Sequence, residues 1–502
     1  MRAVRGSAWF AVFATLAAPA GAATPQILAD EATAPVGTPV VRTAANGDLT
    51  VLWSDGRHVR ASFRLNGGRF FAGHVVPGLP SLDSRFAGVR SLMTTSGDAA
   101  VVWPAPGDRS RSLVAHAPRG GPFGAPQAAP APVGFGTLAF SPDGHGAVLS
   151  GPRPGLSVAL GEPDGRWGVP QRLATESVLF PRVAVGDDGG VVVAWNARGA
   201  CGPAPAHTVA GFCQFLRVAM RPPGGVFAPT ITLEASGAYV GPPQAMVDAA
   251  GRPVVIWRHV LGEANATVLA RGSFTGGFAP PATLPGTDRP TADACPPPNG
   301  LGFAPDPRVV AVRARPDGGA FVLIDRDEGC GPLISEVPLA PAGTAGAPVR
   351  LTTAPLAPKL GMDFLGLGGR TPALVTRTAA GAVAVARTAP EAPFAAPIAV
   401  AQPVRARRGP TAVLRDGRVV VAFSRPCRPG AHVAEAVVVA PGGTASKPVR
   451  VDRCGDPEPA LVDSTGRAVF VRSGGGLATW SSAPVQRYAH ARRGGGSQRS
   501  GR

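Results

Sequence analysis

The sequence predicts an all-β protein built from about nine repeated units of four antiparallel strands. Glycine (67 residues) and proline (56) make up about a quarter of the 502 residues, which excludes a helical protein because both residues interrupt helices. Hydrophobic residues make up 45% of the chain and charged residues 16%, so there is enough apolar material for a core. Short apolar runs separated by glycine-containing turns recur along the chain, which is typical of strands.

Each repeat begins with two apolar strands joined by a turn that contains glycine, and the clearest copy is 182–195. Asp-Gly, Asn-Gly and Gly-Gly pairs suit tight hairpin turns, because these turns need a residue with positive φ. The turn glycines lie 45 to 67 residues apart, most often close to 48, and such a period indicates a repeat architecture. They are Gly47, Gly97, Gly144, Gly189, Gly251, Gly318, Gly369, Gly417 and Gly466.

Aromatic residues close the second strand of several units, and we predict that they pack in the core. They are Trp53, Trp103, Trp195, Trp257 and Phe423. A third apolar strand, such as 215–220, leads to a Gly-Gly-aromatic turn, and a short proline-containing fourth strand follows, as in 228–233. Proline cannot donate to an interior ladder, so the fourth strand is predicted to be the outer edge of each unit.

Four-stranded units of this length, repeated around a ring, describe a β-propeller. Nine hairpins predict eight to nine blades within residues 23–486, and two smaller rings are the alternative. The last unit lacks an evident fourth strand after Trp480. The segment 26–34, which precedes the first hairpin, is predicted to supply that strand and close the ring.

Two short segments resemble motifs of known propellers. The turn Asp164-Gly165-Arg166-Trp167 resembles a shortened Asp-box, Ser-x-Asp-x-Gly-x-x-Trp, which sialidase-like propellers carry between their third and fourth strands. The segment Phe-Ser-Pro-Asp-Gly at 140–144 resembles instead the repeat of periplasmic and WD-repeat-like propellers. The chain therefore resembles a secreted bacterial β-propeller without matching one family, and a shared fold does not transfer function.

The N-terminus has the pattern of a secretory signal peptide over residues 1–22. Arg2 and Arg5 precede an apolar stretch, and Ala20-Gly21-Ala22 supplies a cleavage site. An N-terminal strand or anchor is the alternative. The apolar stretch is too short to span a membrane, so we predict an exported protein, extracellular or in the cell envelope. An even number of cysteines fits an oxidising compartment.

The six cysteines are predicted to lie at one end of the units. Three follow their turn glycines by 10 to 12 residues, which puts them in loops between second and third strands: Cys201, Cys330 and Cys427. Cys213 ends the first of those loops, and Cys295 and Cys454 lie between units. Among fifteen pairings we favour Cys201–Cys213, Cys295–Cys330 and Cys427–Cys454; a zinc site is the alternative, although no C-x-x-C pair occurs.

Two enlarged intervals carry insertions at 196–214 and 284–306, on the end of the units where the cysteines lie. Long loops on a rigid scaffold are where recognition resides. The sequence carries no nucleophile elbow, zinc-protease motif or phosphate loop, so it predicts no cofactor, no metal and no catalytic residue. A sialidase-like reaction would need a tyrosine with a carboxylate partner. Tyr239 is the one tyrosine outside the tail, and its nearest acids in sequence are Glu234 and Asp248.

The formal charge of +17 is carried almost wholly by arginine, with Lys359 and Lys447 the only lysines. Residues 487–502 hold five arginines and no acid; this predicted flexible basic tail could contact an anionic envelope. No basic run is interleaved with aromatic residues, which argues against a nucleic-acid partner. We therefore expect a monomeric, non-catalytic scaffold that binds an extracellular protein or glycan. A glycoside-active enzyme and a structural envelope component are the alternatives.

Overall fold

The structure is a computed structural model that describes these residues: 26–29, 40–44, 48–66, 68–80, 89–94, 96–106, 108–129, 138–141, 143–150, 155–200, 212–236, 239–248, 250–261, 264–285, 287, 308–315, 317–327, 332–350, 363–365, 373–377, 383–387, 398–401, 407–413, 419–428, 431–440, 444–450, 458–462, 468–473 and 477–481. They form strands, turns and bends and contain no helix, hence none long and apolar enough to cross a membrane.

The strands of the described residues group into nine antiparallel sheets, eight of four strands and one of six. β1 (Gln26–Ala29) comes first in the chain and belongs to sheet nine. Sheet one contains β2 (Val40–Thr43), β3 (Leu49–Ser54), β4 (His58–Arg64) and β5 (His74–Pro80); sheet two contains β6 (Arg90–Met93), β7 (Ala99–Ala105), β8 (Asp108–Ala117) and β9 (Gln127–Ala129); sheet three contains β10 (Leu138–Phe140), β11 (Gly146–Ser150), β12 (Leu156–Gly161) and β13 (Gln171–Ala174); sheet four contains β14 (Val178–Val185), β15 (Val191–Ala200), β16 (Phe212–Arg221) and β17 (Ile231–Ser236); sheet five contains β18 (Tyr239–Val240), β19 (Gln244–Val247), β20 (Pro253–Leu261), β21 (Ala264–Ser273), β22 (Gly277–Phe278) and β23 (Ala282–Thr283).

The four remaining sheets repeat the same pattern. Sheet six contains β24 (Arg308–Ala314), β25 (Ala320–Asp327), β26 (Pro332–Leu339) and β27 (Val349–Arg350); sheet seven contains β28 (Asp363–Leu365), β29 (Ala373–Arg377), β30 (Val383–Arg387) and β31 (Ile398–Ala401); sheet eight contains β32 (Arg407–Val413), β33 (Val419–Arg428), β34 (Ala431–Val439) and β35 (Val449–Arg450); sheet nine contains β36 (Glu458–Val462), β37 (Ala468–Ser473) and β38 (Leu477–Ser481) with β1.

In sheets one to four and six to eight, strand order follows chain order, so the fourth strand lies at an edge as predicted. The predicted prolines, however, mostly lie one or two residues before that strand, as Pro170 does before β13 and Pro229 before β17. Proline has no N–H for the ladder, so it is accommodated where the chain enters the edge strand. Sheet five departs from the rule because residues 241–243, Gly-Pro-Pro, separate β18 from β19, and both pair with β20.

The segment predicted to complete the last unit does pair there. β1 lies antiparallel to β38, with Gln26 opposite Thr479 and Ala29 opposite Leu477. The strand therefore spans Gln26–Ala29, the first part of the predicted 26–34. Sheet nine consequently joins one strand from near the start of the chain to three from near its end.

In sheets two to six, the turns between first and second strands are three-residue loops that end in glycine. In sheet two, the Thr94 N–H donates to the Asp98 carbonyl (2.8 Å) and the Gly97 N–H donates to the Thr94 carbonyl (3.1 Å). Gly97 has φ of 98°, the left-handed conformation that such a loop requires of its last residue. The same bond and a positive φ recur in sheets three to six at Gly144, Gly189, Gly251 and Gly318.

The core lies between neighbouring sheets. The four tryptophans predicted to be buried are each at most 2% exposed: Trp53, Trp103, Trp195 and Trp257. Continuous apolar clusters join sheet one to two, two to three, three to four, four to five and five to six. Sheets two to five are therefore apolar on both faces, which is why their second strands are unbroken apolar runs, such as Val-Val-Val-Ala-Trp at 191–195, rather than alternating patterns.

A half-buried histidine, His74, packs against aromatic residues of the core between sheets one and two. The His74 ring stacks on Phe63 with centroids 5.8 Å apart and lies 6.3 Å from the ring of Phe123. Burial lowers the pKa of His74, and a hydrogen bond with the Ala72 backbone acts in the opposite direction. The folded protein therefore resists protonation of this imidazole at a pH where the unfolded chain accepts it.

This burial predicts a loss of stability in mild acid. As the pH falls from 7 to 5, the unfolded chain takes up a proton at His74 near the ordinary pKa of about 6.5 before the folded state does, so the free energy of unfolding should decrease. His74→Phe should make this decrease shallower, since it removes the titrating group and keeps a stacked ring. Urea denaturation at both pH values measures the two slopes, and equal slopes would contradict the prediction.

Candidate functional site

One of the six cysteines is described with its side chain. Cys213 is 7% exposed, lies opposite Gly199 in the β15–β16 ladder and is disulfide-bonded. Cys427 lies near the end of β33, where only its backbone is described. Cys201, Cys295, Cys330 and Cys454 lie outside the described residues, so the three favoured pairings stay predictions.

The first predicted insertion, 196–214, is partly a continuation of the hairpin. The ladder between β15 and β16 extends to the pair Ala200 and Phe212. Residues 196–200 and 212–214 are therefore strand, and the loop proper is narrowed to 201–211, outside the described residues. The second insertion, 284–306, is described only as far as Thr287.

The base of this hairpin is fastened to the first strand of the next sheet. Asn196, which is 0% exposed, donates from Nδ2 to the carbonyls of Val240 (2.7 Å) and Gly241 (3.2 Å). The Val240 N–H donates to Oε1 of Gln214 (3.3 Å). Each strand of the hairpin thus provides one side-chain amide that bonds to the backbone of β18. These amides face the edge of β18 opposite to its ladder with β20.

A carboxylate connects sheets four and five beside these amides. Glu234 on β17 accepts a hydrogen bond from Nε1 of Trp257 with one oxygen, and its other oxygen contacts Nδ1 of His259. Trp257 and His259 are two residues apart on β20 and so lie on one face of the strand. The side chains of Glu234 and His259 are 12% and 21% exposed. The carboxylate therefore satisfies a buried indole N–H and orients an imidazole that solvent still reaches.

Glu234 and Asp248 are the acidic residues nearest to Tyr239 in sequence, and the structure shows both carboxylates engaged by other side chains. Tyr239 pairs through its backbone with Val260, and its side chain lies outside the described part. Glu234 is engaged by Trp257 and His259 instead. The sequence signal for this cluster was the spacing of Trp257 and His259. Residues two apart in a strand lie on the same face, so the imidazole of His259 is expected beside the indole of Trp257.

Asp248 lies at the opposite end of sheet five and holds arginines. Its Oδ2 lies 2.9 Å from Nη2 of Arg271 and 3.3 Å from Nε of Arg252. Arg271 and Arg252 each also donate from Nη1 to the Gly318 carbonyl of sheet six (2.9 Å). This cluster connects sheets five and six, and the Asp248 carboxylate is engaged by the two arginines.

The Asp-box-like turn is located as predicted, between the third and fourth strands of sheet three. The Arg166 N–H donates to Oδ1 of Asp164 (3.0 Å), and Nη2 of Arg166 lies 2.5 Å from Oδ2. These hydrogen bonds, the backbone one first, lower the pKa of Asp164. Within the described ranges, no group of three or more His, Cys, Asp or Glu side chains is arranged to hold a metal ion.

Comparison with known proteins gives structural neighbours alone. No protein-family model matches the chain, and no curated protein does. A lectin, BP39L from Burkholderia pseudomallei, is 15% identical with a TM-score of 0.36, over 84% of this chain and 100% of the lectin. A eukaryotic initiation factor is 11% identical with a TM-score of 0.44, over 84% of this chain and 91% of the factor. A prolyl endopeptidase is 11% identical with a TM-score of 0.35, over 82% of this chain and 55% of the peptidase, so the chain spans about half of its length. Similarity at this level supports no inference about function.

Proposed function

We propose that this chain is an exported, non-catalytic binding scaffold, a β-propeller whose nine sheets are the blades of one ring. Contacts between first strands support the ring. β2 lies beside β6 of the next sheet, β10 beside β14, β28 beside β32 and β32 beside β36, and β2 also lies beside β36 of the ninth sheet. Contact between the first strands of the first and ninth sheets, β2 and β36, is what a closed ring produces.

The proposed binding surface is the end of the sheets that carries the loop 201–211, and the ligand is an extracellular protein or glycan. The fixed base of that loop is the observation that carries this proposal. Asn196 and Gln214 attach the hairpin to β18, and Glu234 connects the same two sheets alongside. A loop held this firmly at both ends loses less conformational entropy when it binds.

Export is supported by cysteine chemistry. The disulfide at Cys213 would persist in an oxidising compartment and be reduced in the cytosol. A signal peptide over 1–22 accounts for how the chain would reach such a compartment. The proposal includes a monomer, no cofactor and no nucleic-acid partner.

Replacing residues 201–211 by a glycine-serine loop of equal length should abolish binding at this surface. We expect capture of the ligand from the extracellular fraction, or on a glycan array, to fall at least about tenfold, which corresponds to about 1.4 kcal/mol. The readout is mass spectrometry of the captured proteins together with array signal, compared with the unaltered chain.

Two further variants test whether the basic tail or the disulfide, rather than the loop 201–211, is responsible for binding. Deletion of 487–502 should leave capture unchanged, because the tail is a separate segment. The double variant Cys201→Ser, Cys213→Ser keeps the loop and removes its favoured disulfide, so a partial loss is expected. Capture that survives the loop replacement would refute the loop surface, and capture lost with the tail would favour the envelope-component alternative.

The glycoside-active alternative has less support from the cluster at Glu234. Both oxygens of this carboxylate are engaged, one by Trp257 and the other by His259. A general acid or nucleophile needs an oxygen that faces substrate. The geometry of Glu234 therefore supports a role in joining sheets four and five.

A further inference from the structure

We propose that the groove between sheets three and four binds a pyranose unit of a glycan on Trp167. This groove lies at the end of the sheets opposite to the loop 201–211, where third strands turn into fourth strands. Its volume is about 480 Å³, and Trp167, Glu162, Gln171 and Arg221 line it together with Val169 and Pro170. The site is separate from the loop surface and does not depend on it.

Trp167 provides a flat apolar surface whose orientation is fixed. A Cβ placed on Gly161 would lie 3.2 Å from both Cη2 and Cζ2 of the indole, so the ring lies directly on the glycine backbone. The ring also meets Phe140 edge-on, with centroids 6.0 Å apart and planes at 72°. The indole is half-buried and lines the groove. A rigid aromatic ring suits the C–H face of a sugar because it offers contact area and loses little entropy on binding.

Polar groups of both hydrogen-bonding types surround this ring. Glu162 is a carboxylate whose side chain is 55% exposed, and its Oε2 lies 3.9 Å from Nδ1 of His145. Gln171 is an exposed amide at the first position of β13. Arg221 reaches the groove from sheet four, and its guanidinium is anchored by donating to the carbonyls of Gly225 (2.8 Å) and Gly189 (3.3 Å). The groove therefore offers an acceptor, a donor and an amide that is both.

This combination selects for a sugar among ligand classes. Vicinal hydroxyls donate and accept at once, so they can satisfy a carboxylate, an amide and a guanidinium together. A wholly apolar ligand would take the Glu162 carboxylate and the Gln171 amide out of water without offering either a hydrogen bond, which costs free energy. Apolar walls with a few fixed polar groups are the usual composition of a small-molecule site.

An equivalent groove lies between sheets two and three, and it differs from the groove at Trp167 in its aromatic residue. It is larger, about 720 Å³, and is lined by His116, Gln127, Asp98 and Asp164. Gln127 holds the same register as Gln171, since each opens the fourth strand of its sheet. The residue in the place of Trp167 is Phe123, which is 4% exposed and belongs to the core. The second groove thus has the amide without the aromatic surface, and Gln127 is a matched control for Gln171.

Saturation-transfer NMR of the full chain with lactose, cellobiose, maltose and mannobiose at millimolar concentration tests the site. We expect transfer to the ring C–H protons of at least one of these disaccharides. Glu162→Ala and Gln171→Ala should each weaken its binding about tenfold, or about 1.4 kcal/mol. Gln127→Ala should leave the affinity within about twofold.

Trp167→Phe provides a second, independent variant, because it keeps an apolar ring and removes the outer indole atoms that lie over Gly161. Its thermal unfolding should fall slightly because packing is lost, and its binding, measured well below that transition, should be weakened. Transfer to none of the four disaccharides would overturn the proposal, and so would equal effects of Gln127→Ala and Gln171→Ala. Ligand capture by the loop 201–211 should be unchanged in all these variants, so failure of one site is distinguishable from failure of the other.

Discussion

Asp248→Ala should lower the free energy of unfolding by about 3–5 kcal/mol, because it leaves a buried arginine without its counter-charge. The Asp248 side chain is 0% exposed and that of Arg271 is 7% exposed. Oδ2 receives hydrogen bonds from Nε (3.1 Å) and Nη2 (2.9 Å) of Arg271. Oδ1 accepts the backbone N–H groups of Ala250 and Arg252 and so shapes the turn between β19 and β20. The substitution therefore removes a counter-ion and a turn acceptor together.

An exposed ion pair serves as the control for this substitution. Asp164→Ala removes a carboxylate 2.5 Å from Arg166, in a pair whose side chains are 48% and 78% exposed, and should cost much less stability than Asp248→Ala because solvent screens the exposed charges. Asp248→Asn keeps an acceptor for the turn and loses the charge, so an intermediate loss is expected. Urea denaturation of the three variants measures these differences. Similar losses for Asp164→Ala and Asp248→Ala would show that burial of the pair does not set its contribution.

Contacts within one sheet could be predicted from the sequence because they follow from local patterns. A run such as 191–195, which is Val-Val-Val-Ala-Trp, is apolar at every position, and such a run is buried on both faces. The position of Gly189 could likewise be predicted as a turn, since a hairpin of either length needs a residue at positive φ. The loop length could not, because two-residue and three-residue loops place glycine similarly in the sequence.

Contacts between sheets could not be predicted from the sequence. Glu234 and His259 are 25 residues apart and belong to different units, and the repeat fixes their register within each sheet without fixing how neighbouring sheets approach. The corresponding position on β13, which also follows a register shift, is occupied by the 4% exposed Ala174. A repeat therefore predicts the strand position and the face of each side chain. The side-chain contacts between neighbouring sheets depend on the residue types at those positions, which differ from unit to unit.

In the candidate sites too, the local features could be predicted from the sequence and the contacts between sheets could not. Sequence reasoning located the end of the sheets that carries the first insertion, because strand order alone determines where loops emerge. It did not identify Asn196 and Gln214 as the base, since their acceptor and donor are backbone groups of Val240 in another sheet. It also singled out residues 164–167 as a turn. The groove beside that turn needs Arg221 from sheet four, which no local motif indicates.

Deleting residues 23–34 should destabilise the whole chain, because β1 supplies the edge strand that completes sheet nine. Loss of the ladder to β38, which pairs three residues of β1, removes hydrogen bonds of about 1 kcal/mol each and exposes a strand edge that favours aggregation. In one ring the loss of closure reaches every sheet, so we expect a single thermal transition at lower temperature. Two smaller rings would instead yield one shifted and one unshifted transition in calorimetry. A synthetic peptide of residues 23–34 added in trans should restore the original melting temperature, whereas an unchanged melting temperature after the deletion would show that β1 is dispensable for the fold.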